Sequence, residues 1–271
     1  MGGDDVLARE ILSHGAYVCL RFAQGLDRRA VTAAAIPALA EKLELTNEFE
    51  PAATPGRGSI AFLRRRGATP RDIRDDDVSE ADAVIHVASK TSEPVAEFCR
   101  EAPRLLGDAV STRVLAGVVR PKNYTGAAMQ NWAYARAVVQ QPGPVMPNAF
   151  LVPMSKTVGW WAKGWMERHT YFLPRYDEEG RMTSQGHALA AEAGIACLLR
   201  RTYRAATEPA PEGAYDFVNY FECADADVPT FHAVCAALRD PTRNPEWRFV
   251  REGPTWHGRR VPTWPDLFSR V

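Results

Sequence analysis

Long apolar runs are missing from this sequence, and so is an excess of charge of either sign. No segment approaches the roughly 20 consecutive apolar residues that a membrane-spanning helix needs. The first residues, MGGDDVLAREILSHGAY, carry acids where a secretory signal peptide carries basic residues. Lysine plus arginine (33) equal aspartate plus glutamate (33), a balance that favours neither nucleic acid nor an anionic membrane as a partner. We therefore expect a soluble, cytoplasmic protein that acts on a small molecule.

Motifs of several common cofactor and metal sites are also absent. The five cysteines are an odd number and form no CxxC pair, so neither a disulfide framework nor a zinc site is indicated. The six histidines include no HExxH, and GxGxxG and GxxxxGK[ST] do not occur, which argues against dinucleotide and P-loop sites. A single histidine can still serve as the axial ligand of a haem.

The order of predicted elements is similar in two halves of the chain. Each half opens on an apolar strand, GAYVCLRFA in the first and NAFLVPMS in the second, and continues through helices back to strands. This order predicts an α+β fold of two ferredoxin-like halves, residues 1–117 and 148–271, rather than a doubly wound parallel sheet. Residues 118–147, which end in QQPGPVMP, are predicted to form a surface connector.

Two segments carry further structural predictions. TSQGHALAAEAGIACLLR, residues 183–200, is predicted to form one long helical stretch that ends at Arg200. The charged segment RRRGATPRDIRDDDVSEAD, residues 64–82, is predicted to be an inserted, solvated loop.

The first candidate site residues follow the second apolar strand. Lys156 ends this strand, and Trp160 and Trp161 come directly after it. Large flat aromatic rings beside a lysine suit a flat, apolar cofactor with anionic edges. The competing interpretation is that the two tryptophans only fill the core between the halves.

A histidine and a strand provide the next candidates. His187 is surrounded by glycine and alanine, which would let a planar macrocycle approach its helix closely, although such helices also simply pack against sheets. In the strand YDFVNYFEC the two-residue period places Phe217, Asn219 and Phe221 on one face. Together with Arg200, this face suits a small polar ligand on a metal; a satisfied core amide and a solvated arginine are the alternative.

Taken together, FLVPMSKTVGWW, the His187 helix, LLRRTYRA, YDFVNYFECAD and TFHAVCAAL resemble the C-terminal half of chlorite dismutases and of the related coproheme decarboxylases. Lys156, Trp160 and Trp161 match the family pattern in register, and Arg200 stands thirteen residues after His187, at the spacing between the family's axial histidine and its distal residue. Arg200 within RxxY is similar to the chlorite-degrading branch; many decarboxylases have glutamine there. The match covers about 150 residues well and the N-terminal half only in outline.

The resemblance implies a dimeric α/β-barrel-type unit with haem b in the C-terminal half and His187 as the axial iron ligand. GVVRPKNYTG is similar to a family segment that meets a haem propionate, so Asn123 and Tyr124 join Lys156 and Trp160 as predicted propionate contacts. Trp161 and Phe217 complete the predicted haem pocket. Family members are commonly pentameric, which implies a homo-oligomer here.

Two departures from the family pattern concern the site. Chlorite dismutases carry threonine where this strand has Asn219. They also carry a glutamate on the axial histidine where the register here predicts Arg243 or Asn244, with Asp240 or Glu246 available only if the loop shifts. Loss of that carboxylate would make the imidazole a weaker electron donor and raise the iron potential.

The leading functional hypothesis is a haem oxidoreductase that converts chlorite to chloride and O2, with Arg200, Asn219 and Phe221 at the reacting side. Alternatives within haem chemistry are another substrate, such as peroxide, nitrite or a small organic molecule, and coproheme decarboxylation. A haem carrier, a sensor or a scaffold without haem is the alternative from a different class.

Overall fold

The computed structural model describes residues 13–26, 31, 35–49, 58–119 and 146–269. Twelve strands lie within these ranges: β1 (His14–Phe22), β2 (Leu45–Asn47), β3 (Gly58–Thr69), β4 (Ala83–Ser89), β5 (Val110–Val118), β6 (Asn148–Lys156), β7 (Arg175–Tyr176), β8 (Met182–Ser184), β9 (Leu199–Arg204), β10 (Phe217–Cys223), β11 (Val250–Glu252) and β12 (Thr255–Val261). The helices are α1 (Ile36–Lys42), α2 (Asp76–Ser79), α3 (Ser92–Leu106), α4 (Val158–Trp161), α5 (Trp165–Thr170), α6 (Gly186–Ala191) and α7 (Val228–Arg239). No helix in these ranges is long and apolar enough to cross a membrane.

The strands form two ferredoxin-like sheets that join into one. In the first half the order is β5-β1-β4-β3, and in the second it is β9-β10-β6-β12. The halves meet edge to edge where β5 pairs with β9 and β3 with β12, and the β10–β6 pairing closes a circuit of eight antiparallel neighbours. The predicted α+β fold of two ferredoxin-like halves is confirmed.

Alternation along each strand sorts the side chains between the two faces of this closed sheet. Along β10, Val218 and Tyr220 belong to the inner core, whereas Phe221 packs in an outer cluster with Phe231 of α7. The outer face of the first half is covered by α1 and α3, through Leu39 and Phe98 among others. The outer face of the second half is covered by α7.

Two secondary-structure predictions need correction, and one strand was not predicted. The predicted helix over residues 183–200 ends at Ala191, and residues from Leu199 onward form β9, because β10 offers their backbone groups tertiary partners that the local pattern does not reveal. The segment 64–82 is not one inserted loop: its first residues extend β3 to Thr69, and its later part forms α2. Val110–Val118 forms β5, which the predicted elements did not include.

Inside the closed sheet lies a cluster of charged and polar side chains that links the two halves. Glu48 pairs with Arg260 and lies 3.9 Å from both Arg201 and His86. Burial raises the pKa of Glu48, but Arg260 and Arg201 outweigh it and lower this pKa to about 2. His86 Nε2 lies 2.9 Å from the Tyr203 hydroxyl. These ion pairs and hydrogen bonds connect strands of both halves across the interior.

We predict that His86 makes stability depend on pH. Burial, followed by the charge of Arg201, lowers the pKa of His86 from 6.5 to about 3. In the unfolded chain this imidazole binds a proton below about pH 6.5, whereas in the folded chain it does so only near pH 3. Acid therefore favours the unfolded state, and His86 alone lowers the free energy of unfolding by up to about 1.4 kcal/mol per pH unit in this window.

Urea unfolding at pH 7, 6, 5 and 4 measures this slope. His86→Gln keeps an acceptor for Tyr203, and we expect it to flatten the slope over this range relative to the parent protein. Equal slopes in the two proteins would show that His86 is not held neutral by the fold.

Candidate functional site

His187 is the second residue of α6, and the backbone around it is tightly held. Gly186 has φ +67°, and a Cβ there would lie 2.4 Å from the Leu173 carbonyl oxygen, so this position requires glycine. The His187 amide donates to the Tyr171 carbonyl at 3.1 Å, and the ring centroid lies 5.1 Å from that of Phe172. The imidazole is thus placed by the turn at residues 171–173 as well as by its short helix.

A carboxylate holds the imidazole from behind. Glu246, nearly fully buried in the turn Pro245–Phe249, lies with Oε2 2.7 Å from His187 Nδ1. The neutral imidazole that donates from Nδ1 carries its lone pair on Nε2, the atom that would face a metal. This arrangement is the one in which a carboxylate orients a metal-binding histidine and makes it a stronger electron donor.

The expectation that Arg243 or Asn244 replaces this carboxylate is therefore wrong. Arg243 donates instead to the Gln185 side chain at 3.0 Å, and the buried Asn244 donates to the Leu238 carbonyl at 3.0 Å. These contacts fold the chain after α7 back on itself and bring Glu246, two residues beyond the predicted register, to the histidine. The signal in the sequence was the single glutamate of RDPTRNPEW.

Lys156 completes a buried chain of three ionisable groups. Its ammonium lies 2.6 Å from Glu246 Oε1 and 4.4 Å from the centroid of the Trp160 ring. Burial lowers the pKa of Lys156, and the carboxylate of Glu246 opposes this effect. In the structure Lys156 thus neutralises the carboxylate that holds His187; its contact with a haem propionate stays a prediction.

The two tryptophans have different surroundings. Trp160 is fully buried beside Tyr171 and Phe249, in the aromatic cluster that includes the neighbour of the His187 ring, Phe172. Trp161 is half-buried and donates from Nε1 to Asp216 at 3.2 Å. The core role and the cofactor role are compatible for Trp160, because it supports the wall against which His187 packs. Asn123 and Tyr124 lie outside the described residues.

The opposite group of candidates comes from β9 and β10. The register pairs Arg200 with Phe221 and Thr202 with Asn219, so these four side chains lie on one face. Asn219 Oδ1 accepts a hydrogen bond from Thr202 Oγ1 at 2.7 Å and from Arg200 Nη2 at 3.3 Å. Arg200 is therefore an interior residue of a strand and not the end of a helix. Thr202, which sequence reasoning missed, holds the amide that orients Arg200.

Arg200 retains hydrogen-bonding capacity toward the space over this face. Its Nε is buried, and among the described residues it has no hydrogen-bond partner. Its guanidinium carbon lies 5.9 Å from the centroid of Phe221. A buried guanidinium donor without an acceptor is costly unless a ligand supplies one, and a small anion is the natural acceptor.

The two groups lie on the same side of the sheet. Asn219 Nδ2 is 3.3 Å from the sulfur of Met154 on β6. Lys156 follows Met154 by two residues on the same strand, so the side chains of Met154 and Lys156 leave the same face of the sheet about 7 Å apart. α6 packs against α7, which covers the outer face of the second half. Phe217, opposite Met154 in register, extends this face and stacks on Trp161.

The donor set around His187 fits a haem. In the part of the chain that the structure describes, no group of three His, Cys, Asp or Glu side chains could hold an ion. A porphyrin supplies four ligands of its own and needs one imidazole from the protein, which a histidine held by a carboxylate provides. The unsatisfied donor of Arg200 fits an anion at a haem iron.

The fold is similar to that of solved chlorite dismutase structures. The enzyme from Candidatus Nitrospira defluvii in complex with imidazole is 20% identical, with 95% of this chain and 94% of that chain covered and a TM-score of 0.65. A variant of the same enzyme in complex with cyanide is 19% identical over 98% of both chains, with a TM-score of 0.63. No protein-family model and no curated protein sequence matches the chain. The chain therefore has the chlorite dismutase fold.

Proposed function

We propose that this protein is a haem b oxidoreductase that acts on a small oxyanion, with chlorite as the leading candidate. The observation that carries the proposal is the hydrogen bond between Glu246 and His187. It lies on the same side of the sheet as the buried Nε of Arg200. The fold, which the chain shares with solved chlorite dismutases that bind imidazole and cyanide, supports it. The net reaction, chlorite to chloride and O2, needs no further reactant.

When bound, haem would supply a redox-active iron that reacts with the substrate anion. His187 Nε2 would be its protein ligand. Glu246, which accepts the hydrogen bond from Nδ1, makes this imidazole a stronger donor, and Lys156 balances the charge of Glu246. Because Glu246 supplies this carboxylate, we no longer expect the reduction potential of the iron to be raised by its loss.

On the substrate side, the chain's residues would bind the anion and exclude water. Arg200 offers charge-assisted hydrogen bonds, which are strongest in a dry pocket, and Asn219 fixes its direction. Phe217 and Phe221 would exclude water from the face of the strand. Trp160, Trp161, Asn123, Tyr124 and Lys156 stay predicted haem contacts.

The test is an absorption spectrum of the haem-reconstituted protein beside that of His187→Ala, followed by chlorite addition with an oxygen electrode. We expect a Soret band that is lost or strongly altered in the variant, together with O2 release by the parent protein. A His187-dependent Soret band without O2 release would keep the haem site and reject chlorite; peroxide, nitrite and coproheme with peroxide would then be offered. Absence of specific haem binding would overturn the proposal.

A second variant tests the role of Glu246. We expect Glu246→Gln to bind haem but to raise the reduction potential of the iron, because the amide polarises Nδ1 less than a carboxylate does. Spectroelectrochemical titration of both proteins measures this. An unchanged potential would show that Glu246 only positions the ring.

A further inference from the structure

Three consecutive arginines, Arg64 to Arg66, lie near the middle of β3 beside Arg259 of β12. Together with Asp225 they line an open cleft of about 520 Å³. This volume lies within the range of about 300–1,000 Å³ that is typical of small-molecule sites. The cleft uses none of the residues assigned to the haem site.

The local strand geometry is unusual in two respects. Arg64 and Arg259 are directly opposite each other on antiparallel strands, an arrangement of like charges that costs free energy. The register between β3 and β12 shifts at His257 and Gly258, whose partners are Gly67 and Arg65, so Arg66 is the extra residue of a bulge. Bulges redirect side chains and are common beside functional sites.

The positive charge of the cleft is only partly neutralised. Asp225 pairs with Arg259 at 2.8 Å. Arg64 donates to the Ser269 carbonyl at 3.0 Å and Arg65 to the Ser79 carbonyl at 2.9 Å, and both acceptors are neutral. Arg66 is exposed and has no hydrogen-bond or ion-pair partner among the described residues. The lining of the cleft thus contains four guanidinium groups and only one carboxylate, so it is positively charged. The formal net charge of the whole chain is zero.

The positive charge of the cleft also acts on a neighbouring histidine, His257. His257 is half-buried and stacks on Phe150 with ring centroids 4.2 Å apart. Burial lowers the pKa of His257 to about 4, and the charges of Arg66 and Arg259 contribute in the same direction. A bound anion would offset those charges, so this imidazole can report on occupancy of the cleft.

We propose that this cleft binds a small, multiply charged anion that carries phosphate or sulfate groups. Arginine matches phosphate oxygens with pairs of parallel hydrogen bonds, and the opposed Arg64 and Arg259 would be bridged by such a group. The concave shape and the zero net charge of the whole chain favour a small ligand over a nucleic acid.

This site is separate from the His187 site. Arg259 is opposite Asn148, the first residue of β6, whereas Lys156 is its last. Eight residues of extended strand place these two positions about 26 Å apart along β6. Binding in the cleft does not depend on haem.

The experiment is isothermal titration of the full chain with sodium pyrophosphate at pH 7.5 and constant ionic strength, with and without haem. We expect one binding event in both forms. Arg66→Ala should weaken it about tenfold or more, because the substitution removes charge-assisted hydrogen bonds to the anion without breaking a side-chain contact with another described residue. Arg104→Ala, which removes an exposed arginine of α3, is the matched control and should bind like the parent protein.

NMR titration of His257 provides a second readout, and we expect saturating pyrophosphate to raise its pKa. Absence of binding by the parent protein, equal affinity in Arg66→Ala, or loss of binding in His187→Ala would each overturn the proposal. Arg66-dependent binding of a DNA oligonucleotide without binding of pyrophosphate would reject a small ligand. Failure of haem to bind leaves these outcomes unchanged, so the two proposals fail independently.

Discussion

Replacement of Arg200 by alanine is expected to lower the turnover of chlorite about 100- to 1,000-fold, the usual cost of losing one donor aimed at the charge that develops in a reaction. Haem binding should persist, because the variant leaves the His187 and Glu246 pair intact. The reason for the large effect is that Nε of Arg200 is buried, and a charged donor acts more strongly there than in bulk water.

The measurement is steady-state O2 release by haem-loaded protein, with the Soret band recorded in the same sample. Arg200→Lys keeps the charge but not the planar pair of donors, so we expect an intermediate rate. Arg251→Ala, at an exposed position of β11, serves as the control and should match the parent protein. Unchanged turnover in Arg200→Ala would remove Arg200 from the reaction.

The second large effect concerns the interior of the closed sheet. We expect Glu48→Gln to lower the free energy of unfolding by about 3 kcal/mol, because it removes the nearest carboxylate of Arg201 and leaves Arg260 with Glu222 alone in a buried cluster. The amide can still accept the 2.8 Å hydrogen bond from Ser59, so the change isolates the charge. Urea unfolding of both proteins at pH 7 measures the difference.

An exposed ion pair supplies the control for this experiment. Glu80 pairs with Arg21, and about half of each side chain is exposed to solvent. Glu80→Gln should therefore change the free energy of unfolding by less than about 1 kcal/mol. If Glu48→Gln is equally mild, the interior cluster does not hold the two halves together.

Local pattern was sufficient for much of the fold. The strand patterns of β1, β6 and β10 follow from neighbours in sequence, and the structure confirms these strands close to their predicted bounds. The segment up to Arg200 was misread because alanine-rich sequence favours helix locally. The hydrogen bonds of β9 to β10 outweigh that preference, and they exist only after β10 has formed.

At the candidate site, too, sequence was informative for some residues, and tertiary contacts decided the others. The resemblance to the family, in which the spacing of His187 and Arg200 recurs, nominated these two side chains, and their roles stay predictions. Counting residues failed for Glu246, because the turn after α7 is shaped by the contact of Arg243 with the distant Gln185 and by that of Asn244 with Leu238 of α7.

The sequence by itself determined the α+β class and the two ferredoxin-like halves, since both depend on periodicity, and its resemblance to chlorite dismutases nominated the residues for a haem. Only the tertiary structure decided that Glu246 rather than its neighbours meets His187, that Lys156 pairs with that carboxylate, and that arginines of β3 and β12 share a cleft. The physical reason is that each of these contacts joins elements far apart in the chain. Their distances depend on loop paths and strand register, and no local periodicity encodes either.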